Sequence, residues 1–121
     1  MNQEFCKDVD AALKRIAIHI RKTPVEFSHS MSNNSGSKVL LKLENFQVTG
    51  SFKARGAVNK MSLMAEENPE KIITASSGNH GSAVAYAASI LRLNTLIFLP
   101  ENVSSAKLNN CLLYTSDAAD E

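Results

Sequence analysis

Apolar residues recur along the chain at two spacings, and the switches between them mark out the elements. Val9, Leu13, Ile16 and Ile20 lie three or four positions apart, the spacing of one helix face. Asp8 or Asp10 can start this helix, and Lys14, Arg15, Arg21 and Lys22 give it a basic outer surface and C-terminal end. Thr23-Pro24 stops it, because the residue before a proline is pushed out of the α region. This pattern predicts a packing helix with no chemistry of its own. Residues 25–36 turn polar and read as loop with one short helical turn.

Three strand-like apolar runs follow, at residues 39–44, 71–75 and 94–99, alternating with helical patterns at 52–67 and 81–93. In the first of these helices Ala54, Ala57 or Val58, Met61 and Met64 or Ala65 form the apolar stripe, the methionines as core filling. The second is almost wholly small and apolar (Ala83, Val84, Ala85, Ala87, Ala88, Ile90), which predicts cover on most sides. Strands separated by helices of this length argue an α/β unit with a mainly parallel sheet. The continuously apolar Thr95-Leu96-Ile97-Phe98-Leu99 is what a strand covered on both faces shows.

Composition narrows the function classes. The 121 residues are 44% hydrophobic and 21% charged, with a formal net charge of +1, as expected of a globular domain or part of a larger one. Near-neutral charge leaves no electrostatic footprint for nucleic acid or a membrane surface. No apolar run reaches membrane-spanning length, and the polar start Met1-Asn2-Gln3-Glu4 is not a secretory signal. Cys6 and Cys111 offer neither a CxxC redox site nor a metal knuckle and suit a reducing compartment, with the cytoplasm as expected location. His19 and His29 have no second imidazole or thiol at ligand spacing, so no metal site is expected.

Two stretches carry candidate chemistry, each where a strand gives way to a helix. In Thr49-Gly50-Ser51-Phe52-Lys53-Ala54-Arg55-Gly56-Ala57, Gly50 can turn the chain and Ser51 has the side chain of an N-cap. Lys53 then falls in the first helical turn, among free backbone N–H groups. It is either an ordinary solvated lysine or a neutral amine placed to attack a carbonyl. The second stretch is Thr74-Ala75-Ser76-Ser77-Gly78-Asn79-His80-Gly81, beyond the carboxyl end of a strand, where open parallel sheets bind ligands. It is either a turn capped by Ser76 or Ser77, or an anion site at a helix N-terminus. Neither GxGxxG nor a P-loop is present, so no nucleotide site is expected.

Together these stretches carry a resemblance. Leu43-Glu44-Asn45-Phe46-Gln47-Val48-Thr49-Gly50-Ser51-Phe52-Lys53-Ala54-Arg55-Gly56-Ala57 resembles the cofactor-lysine segment of the pyridoxal-phosphate enzymes that include threonine dehydratase and serine racemase. Ser76-Ser77-Gly78-Asn79-His80-Gly81, followed by Tyr86-Ala87-Ala88, is similar to their substrate-carboxylate loop and its helix. Thr23-Pro24-Val25, Leu99-Pro100 and Lys107 sit where that family has similar elements. The two central motifs, in this order, are highly specific.

The resemblance implies an α/β fold, part of the three-layer parallel-sheet fold of the tryptophan synthase beta-like pyridoxal-phosphate enzymes. It implies pyridoxal 5'-phosphate as cofactor, with Lys53 holding it and moving the substrate α-proton. Phe52 would lie against the cofactor ring, and Asn79 would hydrogen-bond its phenolic oxygen. Ser76, Ser77, Asn79 and His80 would surround the carboxylate of a small amino-acid substrate. In the racemase branch the serine matching Ser77 is a second base, opposite the lysine. The implied activity is a dehydratase (ammonia-lyase) on L-threonine or L-serine, with serine racemisation or a catalytically silent relative as alternatives.

Family members run to about three hundred residues or more, beyond one small domain. A later glycine-rich phosphate loop and a group contacting the pyridine nitrogen have no counterpart here. Residues 1–110 therefore read as the N-terminal part of a catalytic domain that is a homo-oligomer at full length. Residues 111–121 read as a non-native tail resembling translated sequencing adapter. The 121 residues alone are expected to be inactive.

Overall fold

A computed structural model describes residues 3–76 and 78–114 of the chain. The elements run α1 (Gln3–Ile16), β1 (Val25–Phe27), α2 (His29–Ser35), β2 (Leu40–Lys42), a 3-10 turn (Glu44–Phe46), α3 (Lys53–Glu66), β3 (Ile72–Ala75), α4 (Asn79–Leu91), β4 (Thr95–Phe98) and α5 (Ser105–Leu112).

The centre of the fold is the β3–α4–β4 unit with α3 packed against α4. β3 and β4 pair in parallel, with Ile72 opposite Thr95 and Ala75 opposite Phe98. Parallel neighbours need a crossover, and α4 supplies it. Its small side chains let α3 approach closely: Ala57, Val58 and Met61 meet Ala83, Val84, Ala87 and Ala88 in one core with Ile16 and Ile72. The expectation that this helix is covered on most sides holds, since residues 81–85, 87 and 88 are all buried.

Three expectations need correction. The run at residues 39–44 does not join the parallel sheet. β2 pairs antiparallel with β1, Phe27 opposite Leu40 and Val25 opposite Lys42, in a separate two-stranded sheet. β1 lies inside what read as loop, because three residues are too short to show a period of two. Ser28 caps α2, accepting from the Met31 amide at 3.4 Å, and Gly36 ends it in the left-handed region at φ 67°.

The second correction concerns β4. Its side chains alternate: Leu96 and Phe98 are exposed while Thr95 and Ile97 are half-buried. Together with Ile73 they form a sheet face that no element covers among the described residues.

The third concerns α1, which begins at Gln3 and ends at Ile16, well before Pro24. Tertiary bonding overrides its pattern: the Arg21 amide donates to Gln47 Oε1 at 2.8 Å, which an uninterrupted helix would forbid. Only Ile16 of its stripe is buried, while Val9 and Leu13 stay exposed. In α5, Cys111 is buried against α4, with Sγ 3.9 Å from Ser82 Oγ. Leu112 and Leu113 are exposed, and residues 115–121 of the expected tail lie outside the described residues.

Candidate active site

Two strand-to-helix junctions face one cleft. The first begins with Gly50, whose φ of 70° lies in the left-handed region that glycine adopts without strain. The expected cap by Ser51 is not made. Phe52 occupies the capping position without a side-chain bond, and the buried hydroxyls of Thr49 and Ser51 have no partner among the described residues. Lys53 nonetheless lands as expected, as the first residue of α3, and its side chain is exposed. Its amine makes no hydrogen bond or ion pair with any described residue.

The second junction is capped by Ser76, one of the two serines expected to do so, though from outside the capping position itself. Gly78 is the capping residue of α4, and the capping chemistry comes from two positions earlier. Ser76 Oγ accepts from the Gly81 amide at 2.9 Å and from the Gly78 amide at 3.3 Å. Asn79 and His80 open the helix, both exposed, and their backbone amides belong to the first turn, which has no intrahelical acceptor. His80 Nε2 lies 3.3 Å from Thr74 Oγ1 at the end of β3. Ser77, an expected catalytic and substrate-binding residue, lies outside the described residues.

Between the junctions is a cleft of about 450 Å³, lined by Phe52, Lys53, Thr74 and His80 together with Met61, Met64 and Ile72. Its volume falls within the roughly 300–1,000 Å³ of small-molecule sites. The structure thus brings Phe52, Lys53 and His80 onto one cleft, while Ser76 and Asn79 stand at the adjacent helix start and do not line it. Sequence reasoning missed Thr74, whose only signal was its place at the carboxyl end of a strand. Among the described residues there is no cluster of three metal-ligating side chains, and no helix is long and apolar enough to cross a membrane.

Behind Lys53 lies a polar network that the sequence did not announce. Glu44 accepts from Arg55 Nε at 2.9 Å, from Arg55 Nη2 at 2.7 Å and from Thr23 Oγ1 at 2.5 Å. Hydrogen bonding by the Arg55 guanidinium holds the Glu44 carboxyl down from 4.5 to about 2, against burial, which acts to raise it. The same pairing raises Arg55 above its ordinary value.

This fold, with its cofactor-type lysine motif, matches known proteins. The profile of the pyridoxal-phosphate dependent enzymes covers residues 16–118, and the chain belongs to that family. It is 43% identical over 104 residues to the serine racemase of Dictyostelium discoideum, covering 85% of this chain and 32% of that protein. It is 42% identical over 104 residues to the biosynthetic L-threonine dehydratase of Staphylococcus aureus, covering 85% of this chain and 25% of that one. The structure of maize serine racemase superposes with a TM-score of 0.82 at 38% identity, over 89% of this chain and 33% of the other. The chain therefore spans about a third or less of the length of these relatives. Its fold is part of the three-layer parallel-sheet fold of the tryptophan synthase beta-like enzymes, and the family's cofactor is pyridoxal 5'-phosphate. The cleft fits such a group: a planar aromatic aldehyde requires an unpaired primary amine, a ring face beside it and room to enter, and Lys53, Phe52 and the cleft provide these.

Proposed function

We propose that the protein is a pyridoxal-phosphate-dependent ammonia-lyase that removes water and then ammonia from L-threonine or L-serine, leaving a 2-oxo acid. The observation that carries this reading is Lys53: the first residue of α3, its amine unpaired among the described residues, opening onto a cleft shared with the N-terminal end of α4. When bound, the cofactor supplies an electron sink for the carbanion at the substrate α-carbon. The chain's own residues do the rest. Lys53 Nζ would hold the cofactor and take the α-proton, Phe52 would supply a ring beside it, and Asn79, at the adjacent helix start, would donate to its phenolic oxygen.

The substrate carboxylate sits at the start of α4, among Ser76, Ser77, Asn79 and His80. Ser76 accepts from two amides, and its O–H, held only by a long 3.5 Å bond to Gly78 O, would turn to the carboxylate. The amides of Asn79 and His80 add donors at the positive end of the helix. In the complete protein, Lys53→Ala is expected to lower 2-oxo acid release from L-threonine by ~100-fold or more, the usual effect of losing a positioned acid–base group. Release at the unaltered rate would overturn the reading.

Identity to a serine racemase as high as to a threonine dehydratase favours a second reading, racemisation with Ser77 as the base opposite Lys53. Ser77→Ala separates the two. Racemisation should fall by ~100-fold while elimination from the L-substrate changes less, because Lys53 takes the first proton in both. Equal loss of both would assign Ser77 to the carboxylate site alone.

A further inference from the structure

The loop that delivers Lys53 makes few bonds of its own. Between Gln47 and Lys53 the Thr49 and Ser51 hydroxyls are unpaired and Phe52 provides no cap. What remains inside the loop is the Gly50 amide to Gln47 O at 2.8 Å and the Val48 amide to Gln47 Oε1 at 3.0 Å, with Tyr114 Oη donating to Val48 O at 3.0 Å from outside. A segment held so lightly would not by itself fix the first residue of a helix. Its two ends, however, are tied to each other and to the segment after α1.

At the entry, Glu44 lies nine residues before Lys53, and at the exit Arg55 lies two residues after it. The two meet through a two-pronged pair at 2.7 and 2.9 Å, a geometry that fixes orientation as well as distance. Gln47, only 2% exposed, locks the entry to residue 21: Oε1 accepts from the Arg21 amide at 2.8 Å and Nε2 donates to Arg21 O at 3.0 Å. Thr23, 4% exposed, joins both sides, donating to Glu44 while its carbonyl accepts from Lys42 Nζ at 2.6 Å.

We infer that Glu44, Arg55, Thr23 and Gln47 form a clamp that closes the loop ends and so sets where the Lys53 amine stands in the cleft. These are positioning residues, acting through Lys53, and the inference rests on the assignment of Lys53 as the cofactor lysine. Salt-bridged pairs can also serve stability alone, so the test must read position.

The test is reductive trapping of pyridoxal phosphate on the folded protein. A lysine amine condenses with the cofactor aldehyde, water leaves, and borohydride reduces the carbon–nitrogen double bond to a stable amine that peptide mass spectrometry locates. Lys60, on the same helix and the same cleft, is the internal reference. The unaltered protein should label Lys53 ahead of Lys60, and Glu44→Gln should lower that ratio about tenfold, since misplacement by about an ångström costs that much or more. Val58→Ala, which loosens the core of α3 without touching the clamp, should keep the ratio. If Glu44→Gln fails to fold, Thr23→Val removes the bond to Glu44 and a long 3.5 Å bond from Arg55 Nη2, and should lower the ratio by about two- to threefold, roughly the worth of one good hydrogen bond. An unchanged ratio in the folded clamp variant, or an equal fall in Val58→Ala, overturns the clamp. No preference for Lys53 in the unaltered protein overturns the lysine assignment, and the clamp with it.

Discussion

The two strand-to-helix junctions that flank the cleft solve the same problem by opposite means. Before α4, the helix start is satisfied within five residues: Ser76 reaches forward to the Gly78 and Gly81 amides. Before α3, no side chain of the loop caps the helix, and order is imposed from outside by a carboxylate and a guanidinium eleven residues apart. The self-capped junction is suited to presenting backbone amides to an anion, because its geometry is local and stiff. The clamped junction leaves the Lys53 amine free, since the bonds that hold the loop lie at its ends and not at the lysine. The difference shows how the ends of a loop can be tied down while the amine it carries makes no bond to the described residues.

If that contrast is right, acid should weaken the first junction more than the second. The folded-state pKa of Glu44, about 2, lies below the ordinary 4.5, so its stabilisation is fully present above about pH 4.5 and is lost as pH falls towards 2. The pair is partly exposed, with side-chain exposures of 17% for Glu44 and 30% for Arg55. Solvent screening therefore trims the contribution to roughly 1–3 kcal/mol. Urea unfolding of the unaltered protein and of Glu44→Gln at pH 3 and pH 6 reads this directly. The gap between them should narrow at pH 3, and a constant gap would mean that Glu44 is not charged and paired as described.

The capping serine gives a smaller effect. Ser76→Ala removes the acceptor of two first-turn amides and should cost about 1 kcal/mol, the usual worth of an N-terminal cap. That cost should be independent of pH between 3 and 6, because the hydroxyl does not titrate there. A loss that shrinks with acid would tie this junction to the charged network and erase the contrast.

The same division explains what the sequence made legible. The small apolar run of α4, the turn at Gly50 and the arrival of Lys53 at a helix start depend on neighbours in sequence, and each could be read from a window of a few residues. The family motifs were legible for the same reason, because both lie at such local junctions. Illegible were the features made by distance. β2 is apolar enough for a parallel sheet, yet its partner is the three-residue β1. Cys111, which reads as the start of a non-native tail, is buried against α4. Glu44 and Arg55 look like two ordinary surface charges, and nothing in their spacing marks them as partners. Even Ser51, a plausible cap by residue type, was misread, because the helix starts one position too late for its hydroxyl.

That misreading yields the smallest and sharpest expectation. The Ser51 side chain is buried, the residue being 8% exposed, and its hydroxyl has no hydrogen-bond partner among the described residues. A buried hydroxyl that finds no partner costs free energy relative to water, whereas a methyl group of nearly the same shape does not. Ser51→Ala should therefore leave the 121-residue chain as stable as before or raise its stability by up to about 1 kcal/mol, in contrast to the loss at Ser76. Both serines precede a helix by two or three residues, so residue type and position alone would predict the same loss for both. Chemical denaturation of the two variants side by side decides the matter. A loss above ~0.5 kcal/mol at Ser51 would show that its hydroxyl is bonded after all. The first junction would then be capped like the second, and Lys53 would owe its place to the loop rather than to the clamp.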